Sequence, residues 1–511
     1  MTIQPPDREP NPAESWLRRT WERLRSGRWR DVIIADVDAG ASNVAVGKNI
    51  FQLNVGGRNI TPYVAGILLA LLLLVGYFGY PLAEPLWNPA QMQGQFNIAV
   101  AQFGALDGDT VRVTDESRAL SAWFYEQLAA VYAETPDVPL IDSTVIWHDS
   151  RTDTAQNVAL RAIRGATPQA RAEHARKLAE RIGAHMVIYG YVVENSPTGL
   201  DLEFYLSPRM NDETATIVGP YALGSPITLP AAFDVGDPIV NATVGERLRT
   251  RTEALFWLTA GLTHEVLGRT EEALVLLRRG EEALGDWQAD EGREILYFFI
   301  GREELFLGND DAAETAFQTA VTVRPDYARA HNGLGSVHFF RAQEISPQER
   351  LDSPSELDAA ATAYATAQEL ARAQGDELVE ELATLGLGMT ARLQGESAYV
   401  QHAFDDALAS FAQAEAQLTQ ARDYFAGASH YRLTAQAYES LGLTYFQRAD
   451  IMREQGDLLA RRADLDAART AFEACAEQAL NGGFDELLRE RIIAASCLPL
   501  RQAVEAALAE S

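Results

Sequence analysis

The sequence predicts an α/β layer followed by an all-α solenoid of paired helices, with one transmembrane helix in front of both. Three observations predict this order. An uncharged apolar run occupies residues 61–83, strand patterns alternate with helix patterns over residues 95–230, and a helical pattern recurs over residues 247–511. A run of about 20 apolar residues spans a bilayer. Alternating strands and helices form a layered sheet, and a recurring helical pattern indicates a solenoid.

The charge balance narrows the classes of function. The chain has 43 Lys and Arg against 72 Asp and Glu, a net charge of −29. Nucleic acid is therefore excluded as the main partner, because phosphate binding needs clustered basic residues. The sequence shows no Gly-rich phosphate loop, no metal-ligand spacing and no Ser-His-Asp arrangement. We expect no enzymatic activity, no cofactor and no metal, and we expect proteins or peptides as partners.

The first 60 residues form a basic arm. Six arginines lie within residues 16–30, and apolar residues recur between them at helical spacing: Trp16, Leu17, Trp21 and Leu24. This pattern predicts either an amphipathic helix on the anionic inner leaflet or a short solvated helix. Residues 32–61 predict short strands, to which we assign no function.

The apolar run at 61–83 predicts a single uncleaved membrane span. No charged residue occurs between Arg58 and Glu84, and no small-residue cleavage site follows the run cleanly. The arginines lie on its N-terminal side, so the positive-inside rule places the N-terminus in the cytoplasm. We therefore expect a single-pass protein of the cell membrane whose C-terminal domains are extracytoplasmic.

Residues 95–230 predict the α/β layer. Apolar runs predict buried strands at 97–103 and 184–193, and a further strand is expected at 138–147. Alternation of apolar and polar residues predicts a half-exposed strand at 199–206. Helices are expected at 117–133 and 167–182. One face of the first carries Leu120, Phe124, Leu128 and Val131, and Pro168 and Gly183 mark the two ends of the second.

This layer resembles a known domain. The run Ile98-Ala-Val-Ala-Gln-Phe103, a Gly-Asp turn, and the segment Ala179-Glu-Arg-Ile-Gly-Ala-His-Met-Val-Ile-Tyr-Gly190 followed by a hairpin look like the N-terminal domain of TolB and its relatives. The resemblance implies a protein-binding domain of the bacterial envelope that precedes helical repeats or propellers. It brings no catalytic residues with it.

After a Pro- and Gly-rich linker at 231–246, the repeats begin. The second repeat has the clearest pattern: Tyr297, Ile300, Gly301, Gly308, Ala313, Phe317, Ala320 and Pro325. This spacing resembles the tetratricopeptide repeat. Its small residues let two antiparallel helices approach, its large residues fill the space between them, and Pro ends the second helix.

About five such repeats and a capping helix are expected over 247–511. The first runs from Ala254 and the third from Ala328, with an insertion that contains Pro347 and Pro354. The fourth is marked by Leu385, Gly386, Met389, Ala407, Phe411 and Ala414. The fifth is marked by Tyr438, Leu441, Gly442, Tyr445, Ala468, Phe472 and Cys475. The capping helix is expected at 492–508.

The tetratricopeptide resemblance implies that the inner face of the first helices binds peptides or partner proteins. Projection of that face gives the candidate protein-binding residues Glu265, Arg302, Asn332, Ser336, Phe339, Glu439 and Phe446.

The two cysteines, Cys475 and Cys497, belong to no Cys-x-x-Cys pair. Cys475 falls at a small-residue position of the fifth repeat, which favours a buried thiol. A disulfide between the two is the alternative outside the cytoplasm.

Together these features favour a membrane-anchored scaffold or assembly factor whose repeats bind partner proteins outside the cytoplasm. The alternative is a membrane sensor whose middle domain binds a ligand and signals through the N-terminal arm.

Overall fold

The structure is a computed structural model that describes residues 46–60 and 91–510 with gaps. The gaps are residues 48–49, 52, 56–57, 108–109, 136–137, 139–143, 149–159, 194–197, 208–215, 231–236, 238–239, 284–291, 353–354, 483–492 and 494–495. The predicted amphipathic helix at 16–30 and the predicted span at 61–83 lie outside the described residues. Among the helices that are described, none has the length and apolarity to cross a membrane.

The chain divides into two compact units, residues 1–88 and 89–511. In the first unit β1 (Val46–Gly47) pairs with β2 (Ile50–Phe51), and β3 (Leu53–Val55) pairs with β4 (Arg58–Ile60), both antiparallel. The predicted short strands are confirmed for this part of the arm.

The second unit opens with a mixed sheet. Its strands are β5 (Phe96–Val100), β6 (Gly104–Asp107), β7 (Thr110–Arg112), β8 (Thr144–His148), β9 (Met186–Val193), β10 (Gly199–Leu206), β11 (Gly219–Ala222) and β12 (Ile227–Thr228). The main order is β11-β10-β9-β5-β8. The central strand β5 is parallel to β8 and β9, whereas β10 is antiparallel to β9.

Two helices cover the two faces of this sheet. Ile98 shares a core cluster with residues of α1 (Asp115–Glu134), whereas Ala99 shares one with residues of α2 (Pro168–Ile182). Burial on both faces explains why β5 is continuously apolar rather than alternating. The predicted α/β layer is thereby confirmed, while its resemblance to TolB stays a prediction.

The ends of α2 follow their sequence pattern. The Thr167 side chain accepts a hydrogen bond from the backbone N–H of Ala170, and Gly183 ends the helix at φ 76°. A residue with a side chain adopts that left-handed conformation at a cost, which glycine avoids.

The predicted alternation of β10 is confirmed over residues 200–204, where Asp201 and Glu203 are half-buried between buried apolar residues, but it fails at Tyr205. Glu203, expected in solvent, forms an ion pair with Arg171 of α2 at 2.5 Å. Tyr205 is only 5% exposed. The polar face of the strand is therefore covered by α2 and by the repeats.

Within the described residues, the helical region consists of five pairs of helices, one short helix and a terminal helix. The pairs are α3 (Glu246–Val266) with α4 (Thr270–Ala283), α5 (Arg293–Phe306) with α6 (Asp310–Val323), α7 (Ala328–Glu344) with α9 (Ser355–Gln374), α10 (Glu377–Val400) with α11 (Phe404–Gly427), and α12 (Tyr431–Glu454) with α13 (Leu458–Asn481). The short α8 (Pro347–Asp352) lies in the predicted insertion, and α14 (Leu498–Ala509) is the capping helix.

Glycines set the close approach within these pairs. A Cβ placed on them would lie 2.6–2.8 Å from a large side chain of the partner helix: Gly261 on Leu277, Gly301 on Phe317, Gly335 on Tyr364 and Gly442 on Phe472. This packing, which the tetratricopeptide resemblance implies, is confirmed for four pairs.

The fourth repeat has a different register from the one expected. Gly386 meets Tyr364 of the preceding repeat, whereas the contacts within the pair join Gly388 to Leu418 and Gly395 to Phe411. Both helices of this pair have 24 residues, against 14 in each helix of the second pair. The longer helices therefore have two points of close approach along α10.

The predicted linker at 231–246 is wrong for its second half. A π-helical turn, Asn241–Gly245, leads directly into α3. Val240 and Val244 lie in a core cluster that also contains Phe204 of the sheet and Phe299 of α5. The α/β layer and the first repeats therefore share one core instead of forming separate domains.

The buried thiol expected at Cys475 is also wrong. Cys475 of α13 and Cys497, directly before α14, form a disulfide with their Cα atoms 5.9 Å apart. The alternative pairing is the correct one, and it ties the capping helix to the last repeat.

Candidate functional site

The first helices of successive repeats line an inner groove. Between α5, α7, α10 and α12 this groove contains a cavity of about 200 Å³, which we call the groove cavity. Its lining is mostly apolar and includes Phe306, Phe340, Leu382 and Met389, together with the predicted residues Arg302, Asn332 and Ser336. Thr216, which precedes β11, closes one side.

Arg302 is held from behind the cavity by two carboxylates. Its Nη1 donates a hydrogen bond to Glu265 and another, at 3.0 Å, to Glu303. All three residues are buried. Its guanidinium also lies 4.4 Å from the centre of the Phe306 ring. Arg302 thus reaches the cavity wall, whereas Glu265 lies behind it as the partner of Arg302.

The second carboxylate, Glu303, is the most perturbed acid of this cluster. Burial, followed by the nearby charge of Glu265, raises the pKa of Glu303 to about 8. Two carboxylates share one guanidinium nitrogen out of contact with water, so one of them is more stable with its proton.

Asn332 and Ser336 form the polar strip of the cavity. The Tyr364 hydroxyl donates to Oγ of Ser336 at 3.1 Å, and that Oγ donates to the backbone oxygen of Asn332. Oδ1 of Asn332 is buried and has no hydrogen-bond partner within the described residues. A buried amide oxygen without a partner is costly, so this atom is ready to accept an N–H from an occupant.

Phe339 was expected on this face, but the structure places its neighbour there. Phe339 is 3% exposed and packs in a core cluster with Ala342 and Leu357. Phe340 is 41% exposed and lines the cavity. Residues four apart share one side of a helix, so Asn332, Ser336 and Phe340 form one row that excludes Phe339.

Glu439 and Phe446 lie away from the cavity. Burial raises the pKa of Glu439, and Ser496, close to the capping helix, is its hydrogen-bond partner. Phe446 packs on the cluster that joins Phe472 of α13 to Val504 of α14. Both residues therefore belong to the packing of the C-terminal end rather than to a shared binding surface.

The α/β layer occupies the inner groove of the first repeats. Tyr221 of β11 stacks on Phe204 at 4.9 Å between ring centres and approaches Phe299 of α5 at 6.1 Å. On α3, the Thr259 hydroxyl lies 2.5 Å from the hydroxyl of Tyr132 in α1. The surface expected to bind partners is therefore filled at this end by the chain itself.

Arg329, which the sequence projection missed, fixes this arrangement. Its guanidinium donates to the backbone oxygens of Thr216 and Val218 at 3.2 and 3.0 Å and pairs with Asp376 at 3.0 Å. It also lies 4.6 Å from the centre of the Tyr221 ring. One feature of the sequence indicates that Arg329 is buried: it lies between two small residues, Ala328 and Ala330, at the start of α7, where neighbouring helices pack closely.

Among the described residues, no group of three or more His, Cys, Asp or Glu is placed to hold a metal ion.

No family model matches the sequence. No curated protein matches it. Among solved structures, TTC0263, a tetratricopeptide protein of Thermus thermophilus, is 20% identical, with a TM-score of 0.30 over 50% of this chain and 99% of its own. PilW, a type IV pilus biogenesis factor, is 16% identical, with a TM-score of 0.30 over 50% of this chain and 93% of its own.

MamA is 20% identical, with a TM-score of 0.23 over 37% of this chain and 97% of its own. Helix pairing and glycine packing are the features in which this chain resembles tetratricopeptide proteins.

Proposed function

We propose that this protein is a membrane-anchored scaffold that holds a segment of a partner protein in the groove cavity. The observation that carries the proposal is the cavity itself, an apolar pocket on the inner face with a buried acceptor at its wall. The proposal includes no catalytic step.

The size of the cavity favours a peptide side chain as its occupant. Sites for small-molecule ligands typically measure about 300–1,000 Å³, and the groove cavity measures about 200 Å³. One large apolar side chain fills a pocket of this order, as anchor residues do at protein interfaces. Oδ1 of Asn332 would accept a backbone N–H of the same segment.

Two features support a position outside the cytoplasm. Disulfides persist in oxidising compartments and are rare in the cytosol, and the Cys475–Cys497 bond is of this kind. The apolar run at 61–83, with arginines on its N-terminal side, supports an anchor with the same orientation.

Site-specific photo-crosslinking in cells tests the binding function. A crosslinking amino acid at position 340 should capture a defined protein, and Ser336→Trp, which fills the cavity, should abolish that capture. The matched control is a crosslinker at Leu459, which is 85% exposed on α13 and does not line the cavity. If crosslinkers at positions 340 and 459 captured the same proteins, the proposal would be contradicted. The same holds if Ser336→Trp left the capture at position 340 unchanged.

Protease treatment of spheroplasts tests the orientation. We expect externally added protease to cleave residues 89–511 without lysis, and protection of this part until lysis would overturn the extracytoplasmic placement. The sensor alternative stays a prediction.

A further inference from the structure

A second opening lies where β11, at the end of the main strand order, meets the junction of α6 and α7. It has a volume of about 440 Å³, and the start of α2 and the end of α9 complete its lining. We call it the junction pocket. Unlike the groove cavity, it falls within the ~300–1,000 Å³ typical of small-molecule sites.

Tyr327 gives the junction pocket an unsatisfied polar group. The residue lines the pocket and is 6% exposed, and its buried hydroxyl makes no hydrogen bond within the described residues. Burial raises the pKa of Tyr327 well above its ordinary value, so the hydroxyl keeps its proton. Buried tyrosine hydroxyls usually find a partner, so this one is a donor that an occupant with an acceptor atom would satisfy.

Arg324, which also lines the pocket, lies close to this tyrosine. Its guanidinium carbon is 5.5 Å from the centre of the Tyr327 ring. Its Nε donates to Asp326 at 3.1 Å, whereas its Nη1 lies 3.7 Å from Glu294, beyond hydrogen-bond distance. Burial raises the pKa of Glu294, which makes the charged form of this acid less favourable. The two Nη atoms of Arg324 therefore have no hydrogen-bond acceptor within the described residues.

The two carboxylates of the lining are already engaged. Both oxygens of Glu203 accept hydrogen bonds from Arg171, at 3.1 and 2.5 Å. Asp376 pairs with Arg329 at 3.0 Å through one oxygen and accepts the backbone N–H of Val379 through the other. Because every oxygen of these two groups has a donor, they offer little to a cation.

The remaining donors suit an acceptor with a negative charge. The Nη atoms of Arg324 and the hydroxyl of Tyr327 can both donate to one carboxylate, and such charge-assisted hydrogen bonds are the stronger kind. The lining also contains apolar residues, among them Pro220, Ile295 and Ala373, which suit an apolar body.

We propose that the junction pocket binds a small organic carboxylate with an apolar body, whose carboxylate accepts hydrogen bonds from Tyr327 and Arg324. This site does not rest on the binding of a partner segment in the groove cavity.

Calorimetric titration of the full chain in detergent micelles with 3-phenylpropionate tests the proposal, with protein-free micelles as the blank. We expect saturable binding of one molecule per chain. A chain with a net charge of −29 repels anions in general, so saturable binding of an anion reports a specific site. The neutral amide, 3-phenylpropanamide, should bind at least about tenfold more weakly, because it lacks the charge that strengthens these hydrogen bonds.

Two variants locate the site. Tyr327→Phe removes only the hydroxyl and should weaken binding about tenfold or more, since a hydrogen bond to a charged group contributes at least that factor. Because the hydroxyl has no partner within the described residues, the same variant should not lower the denaturant midpoint. Arg324→Gln should weaken binding about threefold to fivefold, as expected for a partly exposed charge.

The control is Arg453→Gln, an exposed guanidinium near the end of α12 outside the pocket, which should leave binding unchanged. Far-UV circular dichroism melts establish that each variant is folded. Absence of saturable binding overturns the proposal, and so does equal affinity for the acid and its amide. Binding that both Tyr327→Phe and Arg324→Gln leave unchanged overturns it as well, since the ligand then lies elsewhere.

Discussion

Replacement of Glu303 by glutamine should change how stability depends on pH. Glu303 is fully buried, and Oε1 accepts a hydrogen bond from Arg302 while Oε2 has no partner within the described residues. Glutamine keeps the size of the side chain but carries no titratable group. The variant therefore removes one protonation equilibrium from the buried cluster around Arg302 and leaves the packing in place.

The sign follows from the direction of the shift. Burial, then the charge of Glu265, raises the pKa of Glu303 to about 8 from an ordinary value of 4.5. Between these values the folded chain keeps a proton that the unfolded chain has lost. The retained proton therefore gives its full contribution to the free energy of unfolding at pH values below the pKa of Glu303 in the unfolded chain. Between the two pKa values this contribution falls by about 1.4 kcal/mol for each pH unit. It levels off above the folded pKa.

Chemical unfolding of the full chain in detergent, followed by circular dichroism at pH 6, 7 and 8, measures the effect. The stability of Glu303→Gln relative to the natural chain should rise by about 2 kcal/mol from pH 6 to pH 8, because Glu303 is half titrated at pH 8. Glu344→Gln, an exposed carboxylate change, should follow the natural chain throughout. Parallel profiles for Glu303→Gln and the natural chain would refute the reasoning.

Three further predictions concern stability. Gly335→Ala places a methyl 2.6 Å from the Tyr364 ring, and the overpacking should cost about 1–3 kcal/mol, read from the denaturant midpoint. Loss of the disulfide through Cys475→Ser and Cys497→Ser, across a separation of 22 residues, should cost about 3 kcal/mol, read from the same midpoint. Arg329→Met, which breaks a buried ion pair and two hydrogen bonds to backbone oxygens, should cost about 3–5 kcal/mol, measured by thermal and chemical unfolding.

Each of these has a matched control. Gly427→Ala, where an added Cβ meets nothing within 4 Å, should be neutral or stabilising by up to about 1 kcal/mol, so equal losses at Gly335 and Gly427 would contradict the packing argument. Reductant should destabilise the natural chain and leave the double serine variant unchanged. Arg372→Met removes an exposed pair with Glu380 and should cost under about 1 kcal/mol; a comparable loss for Arg329→Met would contradict its structural role.

Local patterns predicted much of the fold. The N-cap at Thr167, the end at Gly183 and the contact of Gly335 with Tyr364 all depend on residues that are near in sequence or repeat at a fixed period. The physical rule for each is short-range, so spacing alone determines it. Five helix pairs and the alternation of strands and helices in the α/β layer follow from the same reasoning.

The candidate site was predictable only in part. Three of the predicted residues line the groove cavity: Arg302, Asn332 and Ser336. Phe339 does not, because the next residue, Phe340, occupies the side of α7 that faces the cavity. That difference of about 100° on a helix depends on how α7 is rotated against α9 and α10. Repeat spacing locates the inner helices without fixing this rotation.

What sequence could not predict is contact over long separations. Arg329 joins Val218 across 111 residues, and no local pattern marks either residue as the partner of the other. No local pattern predicts that β11 and α1 pack into the inner groove of the first repeats. Nor does any local pattern predict that Cys475 forms a disulfide with Cys497.

The shared core of sheet and repeats bears on how the chain unfolds. Solenoid proteins usually behave as one-dimensional arrays in which each unit depends only on its neighbours and terminal units fray first. Here the sheet contributes to one cluster with α3 and α5, and to another with α7 and α10. The second cluster also contains Leu441 of α12 and Ala471 of α13. The helix pairs should therefore melt with the sheet in a single cooperative step, and the Cys475–Cys497 bond holds the terminal helix to the last pair. Deleting a repeat from the N-terminal side would expose the sheet as well, so this solenoid cannot be shortened from that end.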